Sequence, residues 1–138
     1  MKSEKGTNVG KKDLKEKAHY TPPSTTTLPA PQVPESDASV LHYSGGVGYY
    51  AVHIGTSALV ANATLELIVQ LYRQQNNGGN TWFYEHTVTA EEASAQKAVI
   101  NIHRAILNPN NYETVTLSYE VSGQTSSGVT FTLALKPS

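Results

Sequence analysis

A segment near the C-terminus alternates strictly between apolar and polar side chains. Its apolar residues occupy every second position, at Val115, Leu117, Tyr119 and Val121. Because successive side chains of a β-strand point to opposite faces of a sheet, a period of two predicts a strand with one dry face and one wet face. The same alternation recurs along the chain, so the sequence predicts an antiparallel all-β domain.

Alternation, β-branched content and turn residues divide this domain into about seven strands. Their expected ranges are 39–44, 49–57, 63–73, 82–89, 97–106, 113–122 and 128–136. The pair Asn77-Gly78 is the expected turn between the third and fourth strands, and the helix-forming residues after the fourth strand are too few for more than a single turn. Short strands with turns every ~8–12 residues favour a two-sheet sandwich over one open sheet.

The first quarter of the chain differs from the rest in composition. Residues 1–17 hold six lysines and three acidic residues, so they carry +3; the whole chain carries −1, and the remainder therefore carries −4. Residues 1–19 have few large apolar side chains, which predicts a flexible basic arm. Residues 20–38 hold five of the seven prolines, which predicts a semi-stiff linker. The β-sandwich domain would then span residues 39–138.

Several classes of protein are excluded by what the sequence lacks. The chain has no cysteine, which rules out a disulfide framework and a thiolate metal site. No stretch approaches the ~20 apolar residues of a membrane helix, so we expect no membrane insertion. No apolar run follows the first lysines, so no signal peptide is visible. The localisation stays open, and an extracellular or virion-associated setting is the favoured one.

The polar residues form no pattern typical of an active site or a metal site. The five histidines lack the H-x-H and H-E-x-x-H spacings that align metal ligands, and we expect His53 and His103 on solvated strand faces. The adjacent Glu91 and Glu92 are expected to be solvated, since nothing around them indicates the burial that a general acid needs. We therefore predict no catalytic residue, no metal, no cofactor and no enzymatic activity.

Two groups of aromatic residues are the candidate ligand-binding residues. Adjacent rings of a strand project to opposite faces, so at least one ring of each group should lie outside the core. Exposed Trp and Tyr rings stack on sugars or anchor protein interfaces. The candidates are Tyr49, Tyr50, Trp82 and Tyr84. Packing of Trp82 and Tyr84 in the core is the simpler alternative.

The third predicted strand has a second face that is partly apolar. Leu65, Leu67, Val69 and Leu71 define its first face, and Ile68 and Tyr72 lie on the other one. A long strand with two apolar faces needs a cover on each. We therefore predict that Ile68, Tyr72 and Phe83 form an interface with another subunit and that the chain self-associates.

The corner before the alternating segment resembles a known motif. Leu107, Pro109 and Tyr112, followed by that strand, are similar to the Leu-x-Pro…Tyr corner of fibronectin type III and related immunoglobulin-like domains. In those domains the tyrosine closes the loop between strands E and F. The resemblance implies an immunoglobulin-like sandwich used for adhesion, spacing or recognition, and it identifies no ligand.

These predictions describe a non-enzymatic structural or binding module of an extracellular or virion-type assembly. It would engage a protein partner, or another copy of itself, through a sheet face or loop tips, with the N-terminal arm as a tether. One alternative is a carbohydrate-binding module that uses exposed aromatic rings. A second is a small coat or nucleic-acid-associated protein that uses the basic arm, but six lysines without arginine, diluted by three acidic residues, disfavour nucleic acid as the partner.

Overall fold

The fold is described from a computed structural model of the chain, which describes residues 14–17, 26–73 and 79–136. Most of the predicted basic arm, the first part of the predicted linker and the predicted Asn77-Gly78 turn lie outside these residues.

The described residues are mostly β-strand, which confirms the predicted all-β class. The strands are β1 (Leu14–Lys17), β2 (Thr26–Leu28), β3 (Val40–Tyr43), β4 (Tyr49–Gly55), β5 (Thr64–Tyr72), β6 (Gly79–Thr87), β7 (Lys97–His103), β8 (Thr114–Val121), β9 (Gln124–Ser126) and β10 (Val129–Leu135). Helix α1 spans Ala90–Ala95, and a 3-10 helix spans Arg104–Leu107. In this part of the chain, no helix has the length and the apolar character that crossing a membrane requires.

The strands form one large sheet and one small sheet. The large sheet has the order β1-β6-β5-β8-β10-β3, with β9 paired to both β8 and β2, and the small sheet consists of β4 and β7. The prediction of purely antiparallel pairing is wrong for two pairs, since β10 is parallel to β3 and β2 is parallel to β9. Parallel strands need a long connection rather than a hairpin, and most of the chain separates the members of each pair.

Both sheets contribute side chains to one hydrophobic core. The small sheet contributes alternate residues of β4 and β7, and the large sheet contributes alternate residues of β5 and β8. The largest fully buried members include Val52, Ile54, Ile102, Leu65, Leu67, Leu71, Leu117 and Tyr119. The period of two that predicted these strands therefore selects the residues that fill the core.

The large sheet is also buried on its second face around β5. Glu66 and Ile68 are buried there, although they alternate with the core residues. The register places Ile68 between Phe83 of β6 and Ser118 of β8, which are buried as well. In the described residues, Ile68 and Phe83 are buried apolar side chains that stand outside the main core. The expectation of one wet face thus fits β7, where all outward residues are exposed. It does not fit β8, where Ser118 is buried and the other outward residues are half-buried.

Residues 26–38, the second part of the predicted linker, lie against the body. The side chain of Leu28 is buried. Gln32 exchanges two backbone hydrogen bonds with His53 of β4, at N···O distances of 2.8 and 2.7 Å. The guanidinium of Arg104 donates to the Glu35 carboxylate at 2.7 Å. This segment therefore covers part of one edge of the small sheet.

Candidate binding groove

A groove of about 440 Å³ lies between β6 of the large sheet and β7 of the small sheet. The wall on the β6 side consists of Tyr84, Glu85 and His86, and the wall on the small-sheet side consists of Tyr49, Val99, Ile100, Asn101 and His103.

The hydrogen bonds of β4 show to which side the N–H and C=O groups of β7 point. The N–H and C=O groups of His53 bind Gln32, so they point away from β7. His53 lies directly opposite Val99 in the antiparallel register. In such a ladder, hydrogen-bonded and non-hydrogen-bonded pairs alternate. The His53–Val99 pair is non-hydrogen-bonded, and the N–H and C=O of Val99 therefore point away from β4.

The same direction recurs at every second residue of β7. The backbone groups of Asn101 face outward like those of Val99. Two residues further on, the His103 N–H donates to the Tyr84 hydroxyl at 3.0 Å, which shows that this outward side faces β6. Among the described strands, β4 is the partner of β7 in the small sheet. At Val99 and Asn101, this edge of β7 has no strand partner among the described residues, and it faces the groove. We call it the open edge of β7.

Tyr84 and His103 close one end of the groove. The Tyr84 hydroxyl accepts a hydrogen bond from the His103 N–H and lies 2.9 Å from the His103 Nδ1. The hydroxyl therefore bonds both the backbone and the ring of the same histidine. The Tyr84 ring stacks on the imidazole at 5.9 Å between centroids, and the Tyr49 ring contacts the imidazole at 5.1 Å. This contact joins the two sheets.

His86 lies in the wall of the groove and is held by the start of helix α1. Its Nε2 lies 2.8 and 3.0 Å from the two carboxylate oxygens of Glu92. Glu92 also forms a capping box with Thr89, whose N–H donates to the carboxylate and whose hydroxyl accepts from the Glu92 N–H. Burial alone would raise the pKa of Glu92, but the hydrogen bonds from Thr89 and His86 outweigh it and hold the pKa below its usual value.

The four candidate ligand-binding residues do not form one exposed cluster. Tyr49 has 53% of its surface exposed, whereas Tyr50 and Tyr84 are buried. Trp82 is half-buried and packs against the core. The guanidinium carbon of Arg104 lies 4.2 Å from the centroid of the Tyr50 ring. Burial raises the pKa of the Tyr50 hydroxyl. The structure thus brings Tyr49 and Tyr84 together at the groove and leaves Tyr50 and Trp82 out of it.

The three candidate interface residues lie in different surroundings. Ile68 and Phe83 are buried within the single chain, whereas Tyr72 has 44% of its surface exposed. Tyr72 is therefore the member of this set that is accessible to a second subunit. Self-association itself stays a prediction.

The two histidines expected on wet strand faces are both exposed. In the register of the small sheet, His53 lies opposite Val99 and His103 lies opposite Tyr49, so three residue pairs lie between the histidines along the sheet. Within residues 26–73 and 79–136, no group of three or more His, Asp or Glu side chains could hold a metal ion.

Sequence reasoning missed Val99 and Asn101, which carry the open edge. The alternation of β7 was visible, and it predicts their outward side chains. Their importance lies in the backbone, whose direction depends on the register with β4 and on Gln32. A local sequence pattern does not encode either of these.

Comparisons of the chain with protein-family models, with curated proteins and with solved structures gave no match. The functional inference therefore depends on the geometry of the groove.

Proposed function

We propose that the chain is a non-enzymatic binding module that receives an extended segment of a partner protein along the open edge of β7. One observation carries this proposal: the backbone N–H and C=O groups of Val99 and Asn101 point outward into the groove between the sheets. An extended peptide presents its own backbone groups at the same two-residue repeat. It can therefore add to the small sheet as a third strand, as peptides do in β-augmentation.

The shape of the groove supports an extended ligand. Its volume of about 440 Å³ falls in the ~300–1,000 Å³ range of ligand pockets. A small sheet of two strands also gains from a third strand, because an isolated strand pair is only marginally stable. The side chains of an added strand would alternate between the groove and the solvent.

The side chains of the groove indicate what kind of segment fits. Val99 and Tyr49 expose 47% and 53% of their surfaces, which favours apolar contacts on the small-sheet side. His86 and Glu85 on the opposite wall offer polar contacts. We therefore infer a partner segment that alternates apolar and polar residues. The wider setting, an extracellular or virion-type assembly, stays a prediction.

The alternatives from sequence have less support. A sugar platform needs coplanar exposed rings, and of the four candidate rings only Tyr49 is strongly exposed. The nucleic-acid alternative depends on the basic arm, most of which lies outside the described residues.

We also propose that the two sheets form an immunoglobulin-like sandwich. The core shared by both sheets supports this. Tyr112, just before β8, is buried, and its hydroxyl accepts a hydrogen bond of 2.6 Å from the Asn80 side chain. The parallel strands β2 and β3 would then be additions to that architecture.

A peptide-display selection against the full chain tests the proposed binding. Selected peptides should then be measured against Val99→Pro, which removes one outward N–H, and against Val99→Thr, which keeps it. Proline is tolerated where the N–H of an edge strand faces solvent. We expect about a tenfold or greater loss of affinity for Val99→Pro, because one hydrogen bond of ~1.4 kcal/mol is lost.

Circular dichroism and melting curves of both variants control for folding. Peptides that bind Val99→Pro as tightly as Val99→Thr would contradict strand addition. A library that gives no binder to the unaltered chain would count against the proposal as well.

A further inference from the structure

A hollow of about 450 Å³ lies at the end of the small sheet, where β4 ends and β7 begins. Residues of both strands line it, together with residues from the segment 29–32 that runs beside β4. We name it the Gly55 hollow. It is a different space from the binding groove, although Val99 lines both.

The hollow stays open because Gly55 has no side chain. The alternation of β4 directs this position outward, on the same face as His53. Beyond the chain neighbours, a Cβ atom on Gly55 would come no closer than 3.9 Å to another residue, at the Gln96 carbonyl oxygen, and the φ angle of Gly55 lies outside the left-handed region. The fold itself therefore does not require glycine here. Glycine in a strand costs stability and often marks a place where a ligand approaches closely.

One wall of the hollow is held in place by hydrogen bonds within the chain. The Pro29 carbonyl accepts from the Tyr119 hydroxyl at 2.7 Å. Gln32 exchanges two backbone hydrogen bonds with His53. The wall is therefore preformed, and the volume of the hollow lies within the ~300–1,000 Å³ that small-molecule sites occupy.

The lining combines apolar surfaces with two polar side chains. Pro29, Ala30 and Val99 supply apolar surface. The side chains of Lys97 and His53 are exposed beside them. Lysine is positively charged at neutral pH, and an imidazole can donate a hydrogen bond. No acidic side chain among the described residues lines the hollow, so its charge favours an anionic ligand.

We propose that the Gly55 hollow binds a small carboxylic acid with an apolar body. The body fills the space above Gly55, between Pro29 and Val99, and the carboxylate accepts charge-assisted hydrogen bonds from Lys97 and His53. Residues 29–32 bound the hollow on one side, so it admits a compact group rather than a strand. This site is additional to the proposed strand addition at β7 and does not depend on it.

Titration of the isotope-labelled full chain with 3-phenylpropanoate and with hexanoate, followed by amide NMR, tests the proposal. We expect saturable shift changes at Gly55, Lys97 and Ala98 and none at Tyr72 of the large sheet. Ligands of this size reach dissociation constants on the order of 1 mM. The neutral 3-phenylpropanamide should bind about three- to fivefold more weakly than the acid, because it lacks the charge. No saturable change with either acid up to ~10 mM, or equal affinity for acid and amide, would overturn the proposal.

A matched pair of substitutions in β4 tests the position of the site. Gly55→Val fills the hollow, and we expect it to abolish binding of both acids. Ala51→Val enlarges a residue on the same face of β4 that does not line the hollow, and it should leave the affinity unchanged. Melting curves of both variants control for folding. Binding that survives Gly55→Val would show that the acids bind elsewhere and would contradict the proposal.

A second pair of substitutions tests the charge without changing the shape of the hollow. Lys97→Gln should weaken binding of the acids about three- to fivefold and leave the affinity for the amide unchanged. Lys97→Arg keeps the charge and should keep the affinity for the acids. Equal affinities of the two variants for 3-phenylpropanoate would rule out Lys97 as the partner of the carboxylate and overturn the proposed ligand class.

Discussion

The two sheets use the same alternating pattern with different results. In β5, at the middle of the large sheet, five consecutive residues from Leu65 to Val69 are buried. In β7, half of the small sheet, buried and exposed residues alternate along the whole strand, and one edge is open. The large sheet therefore supplies most of the buried surface, and the small sheet supplies the edge at which we propose binding.

The difference arises from the neighbours of each strand. β5 pairs with β6 and β8 along its full length, whereas β7 pairs only with β4 among the described strands. Strands with few partners open at a lower free energy than central strands. An open edge is also a template for another strand. We therefore expect β7 to be the less stable strand, for the same reason that we propose it as the site where a partner strand adds.

The largest expected effect on stability comes from a core residue of the large sheet, in contrast to an exposed residue of the small sheet. Leu67→Ala removes a fully buried side chain of β5, and we expect it to lower the free energy of unfolding by about 2–5 kcal/mol. Val99→Ala in β7 should change it by no more than about 0.5 kcal/mol, because Val99 is largely exposed. Urea unfolding of both variants measures this contrast. Equal losses of unfolding free energy in the two variants would contradict the contrast between the buried centre of the large sheet and the exposed residues of the small sheet.

Seven of the ten described strands could be predicted from sequence, because alternation is a local property, whereas the short strands β1, β2 and β9 were not predicted. Each of the seven predicted strands overlaps one strand of the structure, namely β3, β4, β5, β6, β7, β8 and β10. The burial of Glu66 and Ser118 could not be predicted in this way. Polar residues at every second position predict a wet face, but the position of β5 and β8 in the sheet order decides what is covered.

The candidate site was predictable only in part. Tyr49 and Tyr84 were candidates because each belongs to a run of neighbouring aromatic residues in the sequence, and both line the groove. The prolines of residues 26–38 correctly disfavour long strands there, yet Pro29 accepts a 2.7 Å hydrogen bond from the Tyr119 hydroxyl, 90 residues away. The direction of the β7 edge likewise depends on non-local contacts, namely the register with β4 and the bonds between Gln32 and His53, and no local pattern contains them.

A smaller effect is expected where the two sheets are joined. Tyr84→Phe removes the hydroxyl that bonds both the N–H and the Nδ1 of His103, and we expect a loss of about 1–3 kcal/mol in the free energy of unfolding, since two partly buried hydrogen bonds are lost. Tyr49→Phe is the matched control, because its ring also contacts His103. Amide hydrogen exchange of His103 should accelerate in the first variant and not in the second. Unchanged exchange in Tyr84→Phe would show that this bond does not join the sheets.

The connection from β6 to β7 should matter less, and unequally for the two sheets. Thr89 caps helix α1 between these strands, and Thr89→Ala should cost about 0.5–2 kcal/mol, whereas Thr89→Ser keeps the cap. If the small sheet opens more easily, hydrogen exchange in β7 should accelerate more than exchange in β5. An equal change in both strands would indicate that the two sheets open as one unit.

The smallest effect concerns the carboxylate of Glu92, and it depends on pH. The folded state holds the pKa of Glu92 below its ordinary value, because hydrogen bonds from Thr89 and His86 outweigh the effect of burial. A carboxyl whose pKa is lower in the folded state stabilises the protein at pH values above the ordinary carboxyl pKa, and this stabilisation is lost as the pH falls through the folded pKa.

We expect Glu92→Gln, which preserves a capping residue, to lower the free energy of unfolding by about 0.2–1 kcal/mol at neutral pH. The difference from the unaltered chain should shrink as the pH falls through the folded pKa of Glu92, since the protonated carboxyl is then as neutral as the glutamine side chain. Unfolding curves across this range test the sign, with Glu91→Gln in the same turn as the control for lost charge. A difference that persists at low pH would mean that Glu92 acts through packing at the junction of the two sheets and not through its charge.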